Sequence, residues 1–113
     1  MSPEINYVYI LQMQNGNYYT GYTTNLEQRL NKHINNKGAK FTKAFKPQKL
    51  RQSWCIHSNK GDAMKVEAYI KQQNRSYKEL LIAKPKNLQK DFNQARELNL
   101  KIVENSDDYL FGW

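Results

Sequence analysis

Five side chains of this 113-residue chain carry groups that could together serve an anionic ligand and a metal ion. They are two tyrosines in strand-like segments, a basic pair four residues apart and one acidic residue among apolar neighbours: Tyr9, Tyr19, Arg29, His33 and Glu67. A cation beside an apolar helix stripe is unusual unless it faces an anion or a carboxylate. A half-buried carboxylate needs a partner, and a hard cation such as Mg²⁺ is one such partner.

Each of these side chains also has a purely structural interpretation. Tyrosines suit strands by propensity alone. Arg29 can extend to solvent, and His33 can lie near the helix C-terminus, where a positive charge is favoured. Glu67 can form an ion pair with Arg29 or Lys71. The residues taken singly leave both interpretations open.

A β-hairpin is expected to position the two tyrosines. Residues 5–11 and 17–23 are rich in β-branched and aromatic types, and Asn15-Gly16 between them favours a tight turn. With a two-residue loop, Tyr9 and Tyr19 face opposite sides of the sheet. With a three-residue loop and Gly16 in a left-handed bulge, they share one face and Tyr9 lies opposite Gly21, which leaves room for its ring. The turn is compatible with either register.

Helices are expected to position the charged residues. Thr24 and Glu27 have capping-box spacing ahead of an apolar row formed by Leu26, Leu30 and Ile34, and this helix carries the basic pair. After a third strand at 50–57, Asp62 can cap the helix that carries Glu67. Ser76 and Glu79 can open a further helix that stops before Pro85.

The order β-β-α-β-α-α predicts the fold class. We expect an α/β fold with a small, mainly antiparallel three-stranded sheet flanked by helices. Residues 1–86 form its body, and 87–113 form a C-terminal extension. Leu88, Phe92, Ala95 and Leu98 allow one more helix there, and the extension is either docked on the body or mobile.

Charge separates these two parts. The formal net charge is +8, and residues 1–86 hold fifteen basic against five acidic side chains, whereas 87–113 hold three against five. A basic body favours a polyanionic partner, most simply nucleic acid.

Composition excludes several other classes of protein. No run of about 18 apolar residues is present, so a transmembrane span is not expected. The N-terminus lacks the pattern of a signal peptide, which predicts a cytoplasmic protein without membrane attachment. A single cysteine, Cys55, and two distant histidines predict neither a disulfide nor a zinc site.

Taken together, these residues resemble the GIY-YIG nuclease family. The two name-giving triads correspond to Tyr7-Val8-Tyr9 and Tyr19-Thr20-Gly21, and the segment 38–47 (GAKFTKAFKP) is similar to that of small stand-alone bacterial members. The resemblance covers roughly residues 5–83. Two departures are a tyrosine at position 7 where the family has glycine and threonine at 20 where isoleucine is usual. Tyr22 stands where the related excision-repair nuclease carries lysine, a change that is similar to that in the small members.

The resemblance implies a metal-assisted DNA endonuclease of repair or recombination. Arg29 then corresponds to the catalytic arginine, His33 to a histidine found in many members, and Glu67 to the glutamate that binds Mg²⁺ or Mn²⁺. A water must lose a proton, and Tyr9 is favoured over Tyr19 as the base, with His33 as an alternative. Gly21 has a structural role in the site.

The implied substrate is branched, single-stranded-junction or damaged DNA. Its phosphates are expected to contact the basic side chains that surround the site: Lys37, Lys40, Lys43, Lys46, Lys71, Arg75 and Lys78. The extension could recruit a protein partner. The alternative function is a catalytically idle nucleic-acid-binding module of the same fold, and a weaker one is an adaptor.

Overall fold

Four antiparallel strands form one sheet in the order β2-β1-β3-β4 in the computed structural model. The structure describes residues 5–34 and 47–105, without the side chains at 33, 34 and 47. The strands are β1 (Asn6–Met13), β2 (Tyr18–Thr23), β3 (Pro47–Ile56) and β4 (Ile102–Glu104). The described helices are α1 (Leu26–Ile34), α2 (Lys60–Lys71), α3 (Arg75–Ala83) and α4 (Asn87–Arg96).

The predicted α/β fold class is confirmed, with one more strand than expected. β4 pairs with the end of β3, where Trp54 lies opposite Glu104. A three-residue strand is too short to show the alternation of apolar and polar residues on which a sequence-based assignment depends.

The β1–β2 hairpin adopts the three-residue loop. The Gly16 amide donates to the Met13 carbonyl at 2.9 Å, and Gly16 has a φ of 88°, the left-handed conformation that glycine adopts readily. In the resulting register, Tyr9 lies opposite Gly21 and Tyr19 opposite Leu11. Both tyrosines therefore lie on the same face of the sheet.

Each face of the sheet supports its own apolar cluster. On the face of Tyr9, Leu11 and Met13 pack against Leu26 and Leu30, so α1 covers this side. On the other face a larger core joins Val8, Ile10 and Trp54 to α2, α3 and α4. The sheet thus holds α1 and α2, the two helices that carry Arg29 and Glu67, in fixed positions relative to the hairpin.

Residues 87–105 belong to the larger core. Leu88, Phe92 and Ile102 are buried in it. The Trp54 indole Nε1 donates to the Pro85 carbonyl at 2.9 Å, and the Tyr77 hydroxyl donates to Asp91 at 2.6 Å. This part of the extension therefore forms a helix and a strand that are docked on the body.

The three predicted helix caps were wrong. Asparagine side chains accept the first-turn amide hydrogen bonds instead, at distances of 2.8–3.0 Å: Asn25 before α1, Asn59 before α2 and Asn74 before α3. In each case the asparagine lies one to three residues from the residue that the sequence analysis selected. The helices themselves begin close to where they were expected.

Candidate active site

Tyr9 and Tyr19 form the centre of the candidate site. Their ring centroids lie 6.4 Å apart with an interplanar angle of 45°. Tyr9 is fully buried between the sheet and α1, whereas Tyr19 is half-buried. The two phenols therefore differ in their access to water, although they lie on one face.

Gly21 leaves the space beside β2 that the Tyr9 ring occupies. A Cβ at position 21 would overlap the Tyr9 Cζ and Oη atoms and come within 2.9 Å of Cε2. The ring therefore occupies the space that any other residue would fill. This is the close approach that the three-residue-loop register implied.

Arg29 and Glu67 approach the tyrosine pair from different helices. Arg29, in α1, donates a side-chain hydrogen bond to Tyr9, and its charge also acts on Tyr19. Glu67, in α2, is close enough for its negative charge to act on both phenols. α2 packs against β1 and β2, the two strands that carry the tyrosines. Four of the five residues singled out from the sequence are therefore brought together.

Burial governs the protonation of the two phenols. Desolvation raises the pKa of Tyr9 well above its ordinary value, and the neighbouring Tyr19 adds to this rise, against the opposing charge and hydrogen bond of Arg29. Desolvation also raises the pKa of Tyr19, where Arg29 again opposes it and Glu67 reinforces it. Both hydroxyls consequently carry their protons at neutral pH.

Glu67 has a weak basic partner on its own helix. The Lys71 Nζ lies 3.7 Å from the Glu67 Oε1, and the two side chains are 53% and 17% exposed. An ion pair with one half-exposed, flexible partner contributes little to stability. The pairing with Lys71 that was left open from the sequence is thus present, and it leaves the carboxylate partly accessible.

The donor set suits a hard divalent cation bound through one protein ligand. The described residues contain no group of three or more His, Cys, Asp or Glu side chains that would enclose a metal ion. Mg²⁺ is commonly held by one or two carboxylates, with waters and substrate phosphates completing its shell. The partly exposed Glu67 carboxylate fits that mode of binding.

Tyr22 lies away from this cluster. Its side chain is on the opposite face of β2 from Tyr19, and its hydroxyl donates to the Asn6 Oδ1 at 2.9 Å. The fully buried Asn6 in turn donates to the Ser58 carbonyl at 2.7 Å, just ahead of α2. Asn6 was missed from the sequence, although its alternation with Val8 and Ile10 indicated that it faces the core.

The remaining candidate residues are placed as follows. His33 lies in α1 one turn after Arg29, but its side chain is outside the described residues. Lys71 pairs with Glu67, while Arg75 and Lys78 lie in the first turn of α3. The other four predicted contacts also lie outside the described residues: Lys37, Lys40, Lys43 and Lys46.

Within the part of the chain that the structure describes, no helix is long and apolar enough to cross a bilayer.

Comparison with known proteins identifies the family. The model of the GIY-YIG catalytic domain matches residues 5–80. A UPF0213 protein of Bacillus licheniformis is 39% identical over 97 residues, which are 86% of this chain and 99% of the relative. A UPF0213 protein of Streptococcus agalactiae is 46% identical over 83 residues, which are 74% of this chain and 93% of the relative.

A solved structure is also similar. The solution NMR structure of a UPF0213 protein from Bacillus halodurans has 39% sequence identity and a TM-score of 0.44, and the match covers 70% of this chain and 83% of that one. The family match spans well over half of the chain and includes Tyr9, Tyr19, Arg29 and Glu67. The chain therefore belongs to the GIY-YIG nuclease superfamily, as its sequence indicated.

Proposed function

We propose that the protein is a divalent-metal-dependent endonuclease that hydrolyses phosphodiester bonds in DNA. The observation that carries this proposal is the convergence of Arg29 and Glu67, from two helices, on the Tyr9–Tyr19 pair. A cation, a carboxylate and two hydroxyl groups at one place can together bind a phosphate, hold a metal ion and contact the attacking water in phosphate hydrolysis. Membership of a nuclease superfamily supports the same reaction class.

Arg29 is the residue proposed to bind the scissile phosphate. Its guanidinium can donate paired, planar hydrogen bonds to phosphate oxygens, and it cannot lose its charge at physiological pH. The hydrogen bond to Tyr9 restrains the side chain before substrate binds. Such a preorganised donor stabilises the charge that develops on the phosphate in the transition state.

Glu67 is proposed to hold Mg²⁺ or Mn²⁺. A divalent ion bound there would supply Lewis-acid stabilisation of the phosphate and of the leaving oxygen. Lys71 would have to give up its contact with Glu67, and the 3.7 Å separation makes that exchange easy. Lys71 would then be available to contact the DNA backbone.

Tyr19 is proposed as the hydroxyl that faces the attacking water. The family resemblance favoured Tyr9 as the base, but Tyr9 is fully buried and already accepts a hydrogen bond from Arg29. Tyr19 is half-buried and lies on the same face, so it can reach both water and substrate. Tyr9 then orients Arg29 and supports the Tyr19 ring.

The proposed substrate is branched, single-stranded-junction or damaged DNA, in repair or recombination. The excess of basic residues in 1–86 supports backbone contacts, which position DNA without reading its sequence. The protein alone would then recognise a shape or a lesion.

The direct test compares DNA substrates with and without metal. The full chain is incubated with supercoiled plasmid, a branched junction and a duplex containing an abasic site, in Mg²⁺, in Mn²⁺ or in EDTA. We expect cleavage only with a divalent metal, and faster cleavage of the branched or damaged DNA. Equal cleavage of all three substrates would retain the nuclease and overturn the substrate preference.

The catalytically idle module is the alternative outcome of the same test. It predicts DNA binding that weakens with salt, with no cleavage under any metal condition. The Lys71–Glu67 contact favours this alternative to a small degree, because it partly neutralises the proposed metal ligand.

A further inference from the structure

An arginine outside the candidate active site is held over the ring of a partly buried tyrosine. The guanidinium carbon of Arg75, at the start of α3, lies 4.3 Å from the centroid of the Tyr18 ring. Its Nη1 donates to the Gly16 carbonyl in the hairpin turn at 2.8 Å, and its Nε donates to Glu79 at 3.0 Å. Three contacts therefore fix the orientation of the plane.

One face of this guanidinium remains open. Its hydrogen bonds lie in its plane and Tyr18 covers one side, yet the Arg75 side chain is 52% exposed. The Arg75 side chain therefore remains accessible although one side of its guanidinium is covered. A surface cavity of about 380 Å³ adjoins it, lined by Asn17, Tyr18, Arg75 and Lys78.

A flat, open guanidinium has a specific chemical preference. It stacks on nucleobases as aromatic rings do, and a base offers the required face only when it is unpaired or splayed out. Lys78 on the same cavity supplies a point charge for a phosphate, and Asn17 supplies an amide that can hydrogen-bond to a base edge. A purely structural tether would not need an open face of this kind.

The position of this cavity links it to the candidate active site. Tyr18 immediately precedes Tyr19 on the edge strand β2, so the two side chains lie on opposite faces and about 3.3 Å apart along the strand. Because β2 is an edge strand, a DNA strand that passes over this edge can contact both Tyr18 and Tyr19.

We propose that Arg75, stacked on Tyr18, forms a platform for an unpaired nucleobase, so that the protein engages a single-stranded segment next to the bond that it cleaves. This inference rests on the proposed function and deepens it, because it assigns the single-stranded segment of the substrate to a particular surface of the protein. It also gives Arg75 a role beyond the backbone contact expected from the sequence.

The test measures binding without cleavage. In EDTA, the full chain is titrated with a labelled ten-nucleotide thymidine oligomer and with an abasic oligomer of equal length and charge. Stacking of a base typically contributes about 1–3 kcal/mol, so we expect the thymidine oligomer to bind at least about fivefold more tightly. Arg75→Lys keeps the positive charge but replaces the planar guanidinium with an ammonium group. This variant should bring the ratio of the affinities for the two oligomers close to one.

Two further variants separate stacking from charge and from folding. Lys78→Ala should weaken the binding of both oligomers equally and leave their ratio unchanged. Tyr18→Leu removes the ring beneath the guanidinium and should lower the ratio even if Arg75→Lys fails to fold. An unchanged ratio in folded Arg75→Lys, or a wild-type protein that does not distinguish the oligomers, would overturn the platform. Neither result would bear on metal-dependent cleavage of duplex DNA.

Discussion

At the scale of single residues, the site depends on how closely two strands approach each other. The Tyr9 ring lies where a side chain at position 21 would be, so the glycine and the tyrosine act as one unit. The same contact seals Tyr9 from water and leaves Tyr19 as the more accessible hydroxyl. Gly21 is therefore as necessary to the site as the side chains that are proposed to contact the substrate or the metal ion.

Gly21→Ala is expected to destabilise the fold. The added methyl group must displace the Tyr9 ring or the strand, which should lower the free energy of unfolding by about 1–3 kcal/mol. Urea denaturation measures this change. Gly61→Ala is the matched control, because its Cβ would lie 3.4 Å from the Asn59 Oδ1 in an exposed first turn of α2. Equal losses in both variants would contradict the account.

The raised pKa of Tyr19 leads to a prediction for the pH dependence of cleavage. Because its pKa is raised, only a small fraction of Tyr19 is deprotonated at neutral pH, and that fraction grows tenfold per pH unit. If tyrosinate accepts the proton from water, the single-turnover rate should rise steadily from pH 7 to 9. The rise should disappear in Tyr19→Phe. A plateau above about pH 7.5 would instead indicate an acceptor with the ordinary pKa of histidine, near 6.5.

At the scale of secondary structure elements, the sequence predicted which elements form better than how they begin and pair. The alternation in 5–11 and 17–23 identified both strands, but the Asn15-Gly16 turn suited two registers. Met13 and Gly16 decide between them through a hydrogen bond that closes the loop. Hydrogen bonds of this kind depend on backbone geometry, which residue types alone do not determine.

The helix caps were mispredicted for a related reason. Thr24, Asp62 and Ser76 all have suitable side chains, but so do the asparagines close by, and the exit direction of the preceding strand or loop selects among them. The hydroxyl of Thr23 accepts from the Asn25 amide, which leaves the Asn25 side chain free to cap α1. Neighbouring candidates are therefore distinguished by tertiary geometry rather than by intrinsic preference.

Asn6 is predicted to hold the elements of the site together. It joins Tyr22 in β2 to the Ser58 carbonyl before α2, which carries Glu67. Asn6→Ala should cost about 1–3 kcal/mol because both groups lose this buried partner, and cleavage should slow as α2 shifts. Tyr22→Phe removes one of these hydrogen bonds and should cost about 1 kcal/mol. A neutral Asn6→Ala variant, measured by thermal unfolding, would refute this role.

At the scale of the whole molecule, the extension and the body share one core. The sequence separated 87–113 from the rest by its charge, which describes the surface and carries no information on packing. Leu88 and Phe92 were visible as an apolar pattern, but what they contact depends on the path of the chain around the sheet. The change in net charge after residue 86 therefore does not mark a boundary of the hydrophobic core.

Phe92→Ala tests this shared core. Phe92 is fully buried, and its ring packs edge-on against the ring of Tyr69 in α2, with 5.6 Å between the ring centroids. Its removal should lower the free energy of unfolding by about 3–5 kcal/mol in a single transition, seen equally by far-UV circular dichroism and tryptophan fluorescence. The exposed Gln94 on the same helix is the control, with an expected change for Gln94→Ala within about 0.5 kcal/mol. Two separate transitions would show that the extension folds independently.

The proposed cleavage reaction depends on Glu67 acting as a metal ligand beside Arg29 and the tyrosines. The most direct measurement is the single-turnover rate of Mg²⁺-dependent cleavage of a branched DNA by the wild type, by Glu67→Gln and by Glu27→Gln, whose carboxylate is exposed on α1. We expect Glu67→Gln to lose at least about a hundredfold in rate while it still binds DNA, and Glu27→Gln to match the wild type. Metal-dependent cleavage that persists in Glu67→Gln would contradict the account.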